Sequence, residues 1–122
     1  MPEDIKKDIF IMLKTILKHY EGQLTVVNDS EDIYYLDAGI FPKTQKVLFF
    51  GSVQIKKSYV SYHLMPVYVF PELLQDISSK LRKRMQGKSC FNFNRVDESL
   101  FMEIEELTSS AFQKYKDNNI LP

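Results

Sequence analysis

His63 and Cys90, the chain's only cysteine, are the pair of residues best suited to nucleophilic chemistry. A cysteine attacks as its thiolate, so it needs a neighbouring imidazole or another positive group, and a third group to orient that ring. Both residues fall in segments with strand character, so a sheet can make them neighbours. Phe91, beside Cys90, points the other way: a thiol in an apolar strand is ordinarily a buried packing group. The only other histidine is His19, in the first helical segment with no evident partner, so a His-rich metal site is not expected.

Gly87-Lys88-Ser89 has the ending of a phosphate-binding loop. The motif requires a glycine five residues before Gly87, where Arg82 stands, and a strand before with a helix after. Here the order is reversed, and a helix-to-strand turn is the expected structure. Lys80, Arg82, Lys83, Arg84 and Lys88 form a local basic patch, to which Lys56 and Lys57 add if their turn lies nearby. Such a patch is either an anion contact or a solvated helix face offset by Glu72, Asp76 and the final helix. Asp97, Glu98, Glu103, Glu105 and Glu106 make the last helix acidic in its first half, and Glu103 and Glu106 share a face. Carboxylates at that spacing hold a hard cation weakly, or simply favour a helix N-terminus. Residues 28–32 resemble a calcium loop in composition only, without its glycine and terminal glutamate. Tyr59, His63 and Tyr68, with Tyr62 as a further candidate, are of the kinds that wall a small-molecule pocket, with Lys88 as the anion contact. The alternative is that they are cross-strand packing pairs.

The chain that must position these groups has 122 residues, one domain's worth, with 44% hydrophobic and 26% charged residues. Seven Tyr and nine Phe supply the core and sheet. A formal net charge of zero makes nucleic acid an unexpected partner, because such binders work through many phosphate contacts. One cysteine permits no intrachain disulfide, and the charged N-terminal stretch lacks a signal peptide's apolar run. A cytoplasmic protein without a membrane span is the expectation.

Residues 3–20 carry Ile5, Ile9, Met12, Leu13, Ile16, Leu17 and Tyr20 at helical spacing, with Lys6, Lys7, Lys14 and Lys18 outside the stripe. Strands are predicted over 24–27 and 33–36 around a turn at 28–30, followed by a surface loop over 38–44. Two longer strands, 46–55 and 58–67, meet at Lys56-Lys57, and Pro66 ends the second or places it at an edge. Residues 71–85 read as a helix in two pieces, capped by Ser78 or Ser79, and 89–93 as a fifth strand. Asp97 caps a long helix burying Leu100, Phe101, Ile104, Leu107, Ala111, Phe112 and Tyr115, and the tail after Lys116 frays. The expected fold is an α+β two-layer sandwich: one mainly antiparallel sheet of about five strands, with the N- and C-terminal helices on one face. The other face carries Tyr, Phe, Ser and His, and is partly solvated, a cleft or an interface.

The segments YVSYHLMPVY, SSKLRKRMQGKSCFNF and VDESLFMEIEELTSSAFQKY together resemble the YdhG-like family of small bacterial domains. Tyr62-His63-Leu64 with Val67-Tyr68 matches that family's His-bearing strand. Phe91-Asn92-Phe93 matches its short strand, and Asp97 with Leu100 its last helix start. The likeness covers residues 46–116, and the family's Gly-Met-Pro segment is represented by Gly39-Ile40-Phe41-Pro42. The resemblance implies an α-β sandwich. Through members described as frataxin-like iron chaperones, it also implies iron held on exposed carboxylates, for which the first helix offers Glu3, Asp4 and Asp8. Three functions are therefore expected in turn. The first is an accessory protein, without catalytic residues, binding a small ligand or anion near Tyr59, His63, Tyr68 and Lys88. The second is a weak iron carrier. The third is a module that forms a homodimer through its aromatic sheet face.

Overall fold

Six strands form one sheet in the computed structural model, which describes residues 2–122. The chain begins with helix α1 (Glu3–Lys18), then β1 (Thr25–Asp29), β2 (Ile33–Phe41), β3 (Lys46–Ile55) and β4 (Val60–Leu64). Short helices α2 (Pro66–Val69) and α3 (Ser79–Arg82) lead to β5 (Met85–Gln86), β6 (Cys90–Phe93) and the long helix α4 (Glu98–Asp117). The spatial order is β1-β2-β3-β4-β6-β5 with every pair antiparallel. The expected α+β architecture with flanking terminal helices is present, with a sixth strand.

The apolar stripes of the sequence drive this arrangement. Ile9, Leu13 and Leu17 of α1, and Ile104, Ala111 and Tyr115 of α4, are wholly buried. They pack on the inward residues Tyr34, Leu36, Phe50, Val53, Val60, Tyr62, Leu64 and Phe91. Phe50 sits among Tyr20, Phe112 and Tyr115 at ring-centroid distances of 5.7–6.1 Å. Burial of such aromatics is the main favourable term in a fold of this size. The polar tips are satisfied within the core. Thr108 donates to the Ile104 carbonyl and accepts from the Tyr62 hydroxyl at 2.7 Å. Tyr115 donates to the Phe49 carbonyl at 2.9 Å.

Several elements differ from expectation, each for a physical reason. β2 continues through residues 38–41, where a loop is predicted. Its pairing with β3 is irregular there, and the backbone of the C-terminal tail completes it: Gly39 N–H donates to the Ile120 carbonyl. A side chain at Gly39 would collide with the backbone of Ile120 and Leu121. The tail therefore does not fray but docks, with Ile120 fully buried. β4 stops at Leu64, and Pro66, read as a strand residue, opens α2 at a position where the missing N–H costs nothing. Met85 leaves the helical segment to pair with Phe91, and Gly87 at φ 77° makes the β5–β6 turn. Strict alternation along β3 fails at a bulge between Phe49 and Gly51: Phe50 packs with the helices while Ser52 lies on the open face beside His63.

Lys6, placed outside the apolar stripe by its charge, is only 6 % exposed. Its ammonium donates to the Lys56 and Lys57 carbonyls, at 3.4 and 3.3 Å, and pairs with Glu3 at 2.8 Å. It thereby clamps the β3–β4 turn, which lacks the Asn-Gly pair that would form it unaided. Ser78 accepts from Leu81 N and caps α3, and Asp97 accepts from Leu100 N and caps α4, as their positions predict.

Candidate functional site

On the face of the sheet away from α1 and α4, the registers of β3, β4 and β6 align two rows of side chains. Ser52, His63 and Cys90 lie side by side in one row, and Gln54, Ser61 and Asn92 in the next. All six alternate with inward-facing core residues, so the period of two that buries Val53, Tyr62 and Phe91 turns these outward. They floor an open bowl of about 260 Å³, rimmed by Lys56 and Tyr59 from the β3–β4 turn and by Gln86 of β5. An aromatic wall runs beside it, with Tyr35 stacked on Phe49 at 4.4 Å and Phe49 edge-on to His63 at 4.8 Å.

His63 Nε2 and the Ser89 hydroxyl share a hydrogen bond of 2.7 Å. Ser89 is buried, so this contact fixes the imidazole rather than presenting a nucleophile. Burial holds the His63 pKa below its ordinary value, and the ring is neutral at neutral pH. Burial also pushes the Cys90 thiol up, against the opposing effects of the Ser61 hydroxyl and the Lys56 charge. His63 and Cys90 are thus the cross-strand neighbours that the nucleophile reading requires, yet each is shifted away from the imidazolium–thiolate state that would activate sulfur. The bowl is a neutral hydrogen-bonding surface with one cation at its rim. Lys56 Nζ donates to Gln54 Oε1 at 2.9 Å and Asn92 Nδ2 to Gln86 Oε1 at 2.8 Å. Asn92 Oδ1 is buried and finds no partner among the described residues.

Of the residues singled out in the sequence, Tyr59 and His63 line this bowl. Tyr68 and Lys88 lie outside its lining and pair with each other, the ammonium 5.9 Å from the exposed ring. Tyr62 is fully buried on the helix side. Counting by twos from His63 and Cys90 reaches Ser61 and Asn92, whereas no local signal in the sequence points to Ser52, Gln54 or Gln86 as lining. Glu103, one of the two carboxylates spaced to hold a cation, is engaged within the chain. It accepts from the Ser78 N–H and hydroxyl, both at 2.6 Å. Among the described residues, no three His, Cys, Asp or Glu side chains gather where a metal ion would sit. Nor, among them, is any helix long and apolar enough to cross a membrane. Comparison with known proteins finds no matching family model, curated protein or solved structure.

Proposed function

We propose that this chain binds a small polar molecule in the bowl on the open face of its sheet, and that it acts as a binding or accessory protein. The observation that carries the reading is the pair of polar rows, Ser52–His63–Cys90 and Gln54–Ser61–Asn92, set across three adjoining strands. A solvated face of an antiparallel sheet ordinarily carries charged and β-branched side chains. Here five small or amide-bearing side chains and the His63 imidazole form a half-buried hollow instead. Convergent hydrogen-bonding groups beside an aromatic wall are what orient a ligand, and the neutral His63 offers a donor or an acceptor without a charge to desolvate.

Native mass spectrometry of the purified chain tests the reading. The expected result is an extra organic mass, released on denaturation and absent from Ser61→Leu, which fills the bowl without touching the core. Binding should also weaken in His63→Gln. A bare monomer, with no member of a panel of polar metabolites raising its melting temperature, would overturn the proposal. A bare dimer whose interface is this face would replace it with the interaction-module reading.

A further inference from the structure

A further hollow borders the bowl at the edge of the sheet. Tyr59, Gln86 and Asn92, which wall the bowl, also wall this passage of about 410 Å³ beside Met85. Lys83, Arg84 and Asn94 also border a second hollow of about 380 Å³, on the helix side of β6, completed by Lys80, Phe93, Arg95, Asp97 and Leu100. This second hollow is strongly basic. Its one carboxylate, Asp97, is already occupied: it pairs with Lys80 at 3.0 Å and accepts from Leu100 N. Lys83, Arg84 and Arg95 form no ion pair among the described residues. They come from two separate segments, the end of α3 and the loop before α4. In a chain of zero net charge, three unpaired cations converging on one hollow create a local positive field that attracts an anion.

We infer that the bowl and the basic hollow are the two ends of one groove, and that its ligand is a nucleoside-phosphate-like molecule: a planar polar head joined to phosphate. The inference rests on the reading of the bowl as a ligand site and names the ligand's class. The phosphate lies against Lys83, Arg84 and Arg95, which supply charge and forked donors. Tyr59, where bowl and passage meet, offers a ring face for the head. The amides and hydroxyls of the bowl meet the head's polar edge. Zero net charge favours a small ligand over a nucleic-acid chain, whose binding scales with the number of phosphates contacted.

Amide chemical-shift titrations of the whole chain with adenosine, inorganic pyrophosphate and adenosine diphosphate test this. Pyrophosphate should shift Lys83, Arg84, Asn94 and Arg95, adenosine should shift Ser61, Cys90 and Asn92, and the diphosphate should shift both sets. Because the two ends are covalently linked, the diphosphate should bind at least about tenfold more tightly than either fragment. Lys83 and Arg95 are exposed, so the double variant Lys83→Glu/Arg95→Glu should keep its dispersed spectrum and lose that advantage. If neither phosphate compound moves the basic set, the inference falls, while the bowl reading stands or falls by its own mass-spectrometric and metabolite-panel test. If the diphosphate moves only the basic set, the joined groove and the nucleoside class fall, while the metabolite panel decides the bowl. If an oligothymidylate binds through the same residues more tightly than the diphosphate, the small-ligand class is overturned in favour of a single strand.

Discussion

His63 and Cys90 show how a sheet changes the chemistry of ordinary side chains. His63 is kept neutral by burial, and the sign of its effect on stability follows. Below its ordinary value of 6.5 the unfolded chain binds the proton that the folded chain refuses. Its contribution is therefore whole above 6.5 and is lost as pH falls through the lowered folded value. Urea unfolding of His63→Gln, which keeps a hydrogen-bonding partner for Ser89, should show a flatter decline below that pH than the unaltered chain; parallel declines would assign the titration to another group. Cys90, half-buried with a raised pKa, should react with a thiol reagent several-fold more slowly than free cysteine at neutral pH, and the rate should climb steeply in alkali. Fast labelling at neutral pH would mean that the sulfur is activated after all.

At the scale of the element, the caps are the simplest to probe. Asp97 accepts from Leu100 N and Ser99 and pairs with Lys80, and these contacts, Lys80 first, hold its pKa at about 2. Its stabilising effect is present above the ordinary value of 3.8 and is lost as pH falls through about 2. Replacing it with alanine should cost about 1 kcal/mol in chemical denaturation, and Asp97→Asn, which retains the cap, clearly less. Both caps, the α4 stripe and the extent of β3 were legible in the sequence, because capping residues and apolar periods are local signals. What escaped was set by distant chain. Residues 38–41 look like a loop because Ala38 and Gly39 have small side chains, and only the tail packed on them shows why. Lys6 looks like a surface charge until the carbonyls of residues 56 and 57 are brought to it. The open-face rows were half legible. The alternation placed His63 opposite Tyr62, but which outward residues of β3, β4 and β6 become neighbours depends on register and on the bulge at Phe50.

Over the whole molecule, the joint between β2 and the C-terminal tail ties the sheet's second strand to the far end of the chain. Gly39→Ala should destabilise the fold by about 1–3 kcal/mol, since the added methyl meets backbone rather than a side chain able to swing away. Removing residues 119–122 should itself cost about 1.5–3 kcal/mol for the loss of buried Ile120. In the truncated chain Gly39→Ala should be nearly neutral, so the two changes are strongly non-additive in a double-mutant cycle. Additive costs would show that the methyl is harmful for some reason other than the tail.

The same joint orders events in time. A chain emerging from the ribosome by its N-terminus has made β1 to β4 long before Ile120 exists, and until then the Gly39 amide has no partner and the ground beside it stays uncovered. Docking of the tail on Gly39 therefore has to follow synthesis of the tail, and until then the β2 region is more open to proteases and chaperones than in the finished fold.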